Sequence, residues 1–483
     1  MTALTPPLPA LPLDIARILI GAVLFFYFLN ALRQARDFSD PDGLIDHDLT
    51  TRLLPPTRIS LFQPGMPGVL FRAVHLAACA ASLLVIAGYH PRIAALFLFL
   101  AAVSTYRWNV LVAYLDDAMI HIFCLWLVLL PTGGTLTLPA VLEHGWNAAA
   151  ADWLTATAPG AAPRIFLANM ALVYLVAGAY KFMSPMWRDG SAMHAALRMP
   201  IARAPGFWTL RWRVPLRLVT WAALVMEPLF ALIFVLPAGS LLKWPLLAGA
   251  LVFHLGIALT LKIPYSNAVM LAAMVIPFGP EIMQGGLGVA PLEGVAATGL
   301  APLEVVAIVL VALIAVNLVW EAVNTGLRLR ERYSSTGWDN PARALLWTAG
   351  IFQSYRLFDW VDERNYHLRF EVTAIADNDA TITLDPDALF PQSMRHLLLQ
   401  SYLVGNIWLR MSPEKLKAVR RSLLVRHARR YARTYPDAGT IDVVAIVQRI
   451  TEDNLELTQG ERRPLMRFTC RGGDAVMHFS GEE

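Results

Sequence analysis

Long apolar runs, broken at short intervals by polar connections, dominate the chain up to about residue 325 and constrain it more than any other feature. A hydrocarbon core about 30 Å thick takes about 20 apolar residues of helix to cross. Windows that meet this length lie at roughly 12–32, 69–89, 92–111, 116–132, 163–183, 214–237, 241–262, 266–285 and 303–325. Composition agrees: 56% of the residues are hydrophobic and 16% charged, against roughly 25% charged in soluble domains. The fold class expected is an all-α polytopic membrane bundle of about nine transmembrane helices, with a small C-terminal α+β soluble domain. The opening "MTALTPPLPALPLDIARILIG" has neither a basic leader nor a small-residue cleavage site, so the first run reads as a retained anchor.

Positive charge sets the expected orientation. Arg33, Arg36, Arg52 and Arg58 fill the first connection, Arg107 the third, Arg188, Arg198, Arg203, Arg211 and Arg213 the fifth, and Lys262 the seventh. Arg328, Arg330 and Arg332 follow the ninth window, while the alternate connections hold little beyond Arg92 and Lys243. This pattern predicts an N-terminus outside and a cytoplasmic tail in a cytoplasmic (inner) membrane. The long fifth connection mixes arginines with Trp187, Phe207, Trp208 and Trp212, as short helices lying in the headgroup zone do.

Polar composition from about 331 to 483 marks the second domain, after a membrane domain of 1–330. "YHLRFEVTAI" alternates as a half-buried strand, "ATITLD" reads as its partner, and "ADND" as the turn between them. "SPEKLKAVRRSLLVRHARRYARTYP" reads as a helix capped by Ser412, started by Pro413 and stopped by Pro436. "IDVVAIVQRI" and "RPLMRFTCR" read as further strands. The helix carries Arg420, Arg421, Arg426, Arg429, Arg430 and Arg433, a basic face suited to anionic lipid or to solvent and not taken as a nucleic-acid surface. Cys79, Cys124 and Cys470 are widely spaced, which fits buried thiols and implies neither a disulfide framework nor a metal site.

Ionisable groups inside membrane segments are expensive and mark cavities or partners. Here they are His75, Asp116, Asp117, His121, Lys181, Glu227, His254 and Glu321. His75 reads as a satisfied interior histidine, Glu321 as a group reaching the interface, and Asp116 and Asp117 equally as a cap for the fourth segment. Lys181 stands out because five of the forty basic residues are lysines and the remainder are arginines. Arginine stays protonated, whereas a buried lysine can act as a neutral base. A snorkelling lysine at a helix end is the competing reading. Depth along the segments allows one pocket, opening toward the cytoplasmic face, to collect Lys181, Asp116, Asp117, His121, Glu227 and His254.

"YLVAGAYKFMSPMWRDGSAM" resembles the lysine-bearing motif of the vitamin K-dependent gamma-carboxylase and its horizontally transferred transmembrane (HTTM) superfamily. "WAALVMEPLFALIFVL" looks like that family's glutamate-bearing helix, and "LLAGALVFHLGIALTL" like its histidine-bearing helix. The resemblance covers about residues 12–325 and rests on the order and spacing of the three stretches. It implies a carboxylase-like lyase using a reduced quinone of the vitamin K or menaquinol type, acting on a peptide or protein substrate. Lys181 would be the base toward the hydroquinone. His254, Glu227 and His121, a turn after the acidic pair, would share the catalytic work, and Asp116, Asp117 and Trp187 would contact the cofactor. A non-enzymatic membrane protein, either a transporter or a maturation partner, would use the same buried charges as a proton relay or as glue between helices. A tail that docks a cytosolic partner on a helical scaffold is the third reading.

Overall fold

A computed structural model describes residues 6–53, 59–290, 300–327, 341–351, 366–375, 380–403, 411–449 and 459–478. Each of the nine apolar windows contains a helix: α1 (Leu11–Arg33), α2 (Gly68–Ala87), α3 (Pro91–Trp108), α4 (Leu115–Leu129), α5 (Ala161–Met183), α6 (Arg213–Leu229), α7 (Lys243–Thr260), α8 (Pro264–Ala273) and α9 (Pro302–Leu327). Six helical stretches are long and apolar enough to cross a membrane: Leu11–Arg33, Gly68–Ala87, Ala161–Met183, Leu210–Val235, Lys243–Thr260 and Pro302–Glu321. The chain is an integral membrane protein by that criterion. The other three windows differ for separate reasons. In α3 the terminal Arg92 and Arg107 dilute an apolar centre, α4 is only 15 residues long, and α8 breaks after 10 residues into irregular turns. Nearly all of α4 is buried, so it sits inside the bundle where contact with lipid is not required. Leu76, Leu83, Val252, Leu259, Val309 and Val316 project outward as the apolar surface a bilayer would cover.

Hydrogen bonds tie the helix ends into two layers. In one, Leu8–Pro9 pairs antiparallel with Thr157–Ala158 just before α5. Asp14 accepts N–H bonds from Gly133 at 2.6 Å and Thr135 at 2.7 Å, both following α4. Arg17 donates to Asp14 at 2.7 Å and to the carbonyls of Ile86 at 2.8 Å and Leu136 at 2.9 Å, which satisfies the open end of α2. Glu304, in the first turn of α9, accepts from the N–H of Ala161 at 3.2 Å. Lys243 donates to the Pro277 carbonyl at 2.6 Å and to Glu281 at 2.8 Å, while Gly279 lies against Pro12. The opposite layer joins the end of α3 to the stretch after α1 through Trp108 and the Ser39 carbonyl at 3.1 Å. It also joins the start of α4 to that of α8, where Asp116 accepts from Ser266 N–H at 2.8 Å.

The tail adds the sheet β1 (Tyr366–Ile375), β2 (Thr381–Leu384), β3 (Thr440–Arg449), β4 (Glu461–Arg471) and β5 (Asp474–His478), with helices α10 (Met394–Leu403) and α11 (Pro413–Thr434). All neighbours are antiparallel, in the order β2-β1-β3-β4-β5. The expected strand over 366–375, its partner and the helix at 413–434 are present, with Ser412 Oγ accepting from Lys415 N–H at 3.4 Å. Residues 376–379, the expected turn, lie outside the described residues. The strand β5 and helix α10 are additions to the sequence reading, as is the tail's core. Phe38, Leu44, Ile45, Leu111 and Val112 from the membrane half are buried together with Phe370, Phe390, Leu423 and Phe468. Two of the six arginines of α11 reach the first connection: Arg430 pairs with Asp37 at 2.7 Å, and Arg426 donates to the carbonyls of Pro41 at 2.8 Å and Gly43 at 2.9 Å. Arg421, Arg429 and Arg433 remain exposed. The fifth connection contains short helices, Pro185–Asp189 and Ala192–Ala196, as its composition suggests. Cys79, Cys124 and Cys470 are buried free thiols.

Candidate functional site

Glycine and proline bring the central pair together. Gly178 on α5 faces Pro228 on α6, and a Cβ there would sit 2.9 Å from two atoms of the proline ring. That close approach puts Lys181, one turn further on, beside Glu227. The Lys181 ammonium donates directly to Glu227 Oε2, and both residues are 3% exposed. Lys181 Nζ also lies 5.2 Å from the ring centroid of Trp187, which is itself buried; an aromatic face at that distance favours the cation. The short helix carrying Trp187 ends at Gly190, whose φ of +87° and close approach to Trp221 suit glycine.

Two turns before Lys181, Tyr174 Oη and His254 Nε2 are 2.6 Å apart. His254 Nδ1 is 2.8 Å from Asn267 Oδ1, and Asn267 donates from its amide nitrogen to the Ile263 carbonyl at 2.7 Å. Since the Asn267 oxygen can only accept, His254 carries its proton on Nδ1, and Nε2 accepts from the tyrosine hydroxyl. Phe230, Phe234 and Phe253 surround this chain. Lys181, Glu227 and Trp187, with Tyr174, His254 and Asn267 two turns earlier along α5, make up the buried polar groups carried by α5, α6, α7, α8 and the fifth connection. Ser184, at the end of α5, has a buried hydroxyl with no hydrogen-bond partner among the described residues.

The acidic pair makes other contacts. Asp117 accepts from Tyr27 Oη, from Tyr114 N–H at 3.0 Å and from Arg395 of α10 at 2.5 Å. Asp116 caps α8 through the N–H groups of Ser266 and Tyr265. His121 Nδ1 bonds the Asp117 carbonyl at 2.9 Å. The pocket expected to collect all six ionisable groups is replaced by two clusters, one around Lys181 and one around Asp117. The reason is local. Asp116 and Asp117 open a helix, and carboxylates there satisfy backbone N–H groups of their own and a neighbouring helix. His75 is satisfied as expected, by the Phe71 carbonyl at 2.7 Å and Thr105 at 3.2 Å, and Glu321 pairs with Arg343 at 3.4 Å. Tyr174 and Asn267 were missed in the sequence. Tyr174 was findable, because seven residues before Lys181 is the same helix face; Asn267 and Arg395 gave no such signal. Comparison with family models, curated proteins and solved structures finds no match to this chain.

Proposed function

We propose a membrane-embedded proton-transfer enzyme with quinol-linked, carboxylase-like chemistry, built around the buried Lys181–Glu227 pair. That pair is the observation supporting the reading. Burying two charges costs several kcal/mol per ion before their attraction returns it, and a purely structural role would be filled as well by arginine, which this chain otherwise prefers. A lysine–carboxylate pair is net neutral with the proton on either partner. When the proton moves to Glu227, the amine at Nζ becomes a base shielded from water. Tyr174 and His254 form a second hydrogen-bonded unit that can pass a proton through Oη and Nε2.

The donor set fits the polar head of a reduced quinone, since the unpaired Ser184 hydroxyl offers a hydrogen bond near an exchangeable amine. When bound, such a group supplies a weakly acidic ring hydroxyl and reducing equivalents. Lys181 would take the proton, Glu227 would hold the charge balance, and Trp187 would shield the amine from solvent. Phe182 and Met183, exposed on the outer face of α5, offer an apolar approach from the lipid side.

The same proposal includes nine crossings of the inner membrane, with the N-terminus outside and the tail cytoplasmic. The alternation of helix ends between the two hydrogen-bonded layers supports it, as do the arginines of the odd connections. Lipid extraction of protein purified from native membranes tests the function. The expected result is a quinone co-purifying with wild-type protein and depleted in Glu227→Leu. A folded protein carrying no quinone and failing to oxidise added quinol would overturn the reading.

A further inference from the structure

Asp116 lies outside the Lys181 cluster, yet the first turn of α8 joins the two. Thr260 ends α7 and Pro264 begins α8, so three residues separate these helices. Pro264 has no N–H, which leaves Tyr265 and Ser266 as the donors that open the helix. One residue of another helix takes both: Asp116 Oδ1 accepts from Ser266 N–H at 2.8 Å, and Oδ2 from Tyr265 N–H at 3.3 Å. Ile263, at the N-cap position, supplies no side-chain cap of its own. Asp116 is fully buried, and the start of its helix is held by the neighbouring Asp117, which binds Tyr114 N–H at 3.0 Å and Arg395 of the tail at 2.5 Å. With only 10 residues, α8 is short enough for the loss of one cap to loosen its first turn.

The residue after Ser266 orients the histidine. An asparagine amide can present either its oxygen or its NH2 group, and one contact decides which of them faces His254. The Asn267 NH2 donates to the Ile263 carbonyl, four residues back, at 2.7 Å. Its oxygen is thereby turned toward His254 Nδ1, 2.8 Å away. With the ring proton on Nδ1, Nε2 is bare and accepts from Tyr174 Oη at 2.6 Å. With the amide turned over, the NH2 group would face Nδ1 and drive the ring proton to Nε2. The ring could then take no proton from Tyr174 through that nitrogen. The direction of the chain from Tyr174 to His254 to Asn267 therefore depends on the spacing between the Ile263 carbonyl and Asn267, which span the turn that Asp116 caps.

We propose that Asp116 is a positioning residue that keeps the ring proton of His254 on Nδ1, acting through the first turn of α8. Its consequence for turnover rests on the proton-transfer reading above, in which Nε2 receives the proton of Tyr174. The test uses full-length protein in nanodiscs, with histidine isotope-labelled at carbon and nitrogen, and solid-state NMR. Protonated and bare ring nitrogens give separate signals, and Nδ1 is recognised by its bond to Cγ. His254→Gln identifies the His254 signals among those of the 11 histidines by deleting them. Wild type should show His254 protonated at Nδ1 alone. Asp116→Ala should populate both tautomers, and Asp116→Asn, which keeps one acceptor oxygen, should shift in the same direction by less. Glu304→Gln serves as the control, because Glu304 is also a buried carboxylate that binds a neighbouring helix, at Ala161 N–H, and does not touch α8. It should leave the tautomer as in wild type. Quinol oxidation is read on the same samples and should fall about tenfold or more in Asp116→Ala. Its absence from wild type would count against the proposed function and not against the positioning role, which the ring signals decide alone. Size-exclusion profiles and circular dichroism check that each variant is folded. A folded Asp116→Ala protein with the His254 proton wholly on Nδ1, or an equal shift in Glu304→Gln, would overturn the proposal. Should Asp116→Ala not fold, an unchanged ring in Asp116→Asn would overturn it in the same way.

Discussion

Two of the molecule's buried ion pairs serve different regions. Lys181–Glu227 joins neighbouring helices of the bundle, while Asp117–Arg395 joins the bundle to the tail across 278 positions of sequence. Both place a carboxylate in the interior, and they differ in the cation. Arginine stays protonated and forms directional bonds with its planar fork, so Arg395 acts as a permanent fastener. Its pKa is held above the ordinary arginine range: burial lowers it, and the charge of the Asp117 carboxylate beside it more than offsets that. Lysine can give its proton away. Under the proposed function, Arg395 holds a charge that stays and Lys181 one that can move.

Breaking the fastener should have the largest effect. Removing one partner of a buried pair strands the other, at a cost of roughly 3–5 kcal/mol. Arg395→Met should lower the thermal midpoint sharply and expose the tail to protease, while Arg395→Met with Asp117→Asn should recover part of that loss. Equal stability of the single and double variants would remove the fastener role.

Acidification should act next, on the tail and the connection it packs against. Burial pushes His427 down to about 4 and His47 to about 3, so the folded state holds both neutral. The unfolded chain protonates them near 6.5. Their contribution is therefore complete above about pH 6.5 and is lost as pH falls toward 4, by up to about 1.4 kcal/mol per pH unit for each histidine. Asp37, with burial opposed by its bonds to His396 and Arg430, is held below the usual carboxylate range, so its contribution persists until pH falls below about 4. Protease release of the tail between pH 7 and 5 reads the histidines. In His427→Gln that window should flatten.

A smaller effect is expected at the helix contact that seats Lys181. Gly178→Ala pushes a methyl into Pro228, an overpacking that costs roughly 1–3 kcal/mol. Activity should fall more than stability because the amine moves away from Glu227. Smallest of all, Arg462→Gln, which removes an exposed pair with Glu371 on the sheet, should leave the unfolding midpoint near wild type.

The sequence made regular elements legible wherever period and punctuation agreed. Alternation marked β1 over 366–375, and Ser412, Pro413 and Pro436 bracketed α11. Lys181 and Glu227 were visible as two of six membrane charges that one pocket could collect, but their pairing was not, because it depends on Gly178 and Pro228 in separate helices. Pairings between distant segments were not legible. Phe38, Leu44 and Ile45 read as an ordinary connection, yet they complete the tail's core. Arg395 carries no local pattern that points to Asp117. Nor does helical length alone distinguish α4, enclosed by protein, from a helix that faces lipid.

Lys181→Arg tests the contrast between the two pairs most directly. Arginine preserves the charge and the pairing with Glu227, and removes only the ability to release the proton near neutral pH. The measurement is oxidation of a reduced quinone by dissolved oxygen in liposomes that contain the protein, with thermal stability recorded on the same samples. A mobile proton at Lys181 predicts a rate loss of about a hundredfold or more, the scale of general-base catalysis, with the unfolding midpoint near wild type. Wild-type turnover in a well-folded Lys181→Arg protein would contradict it and make both ion pairs fasteners.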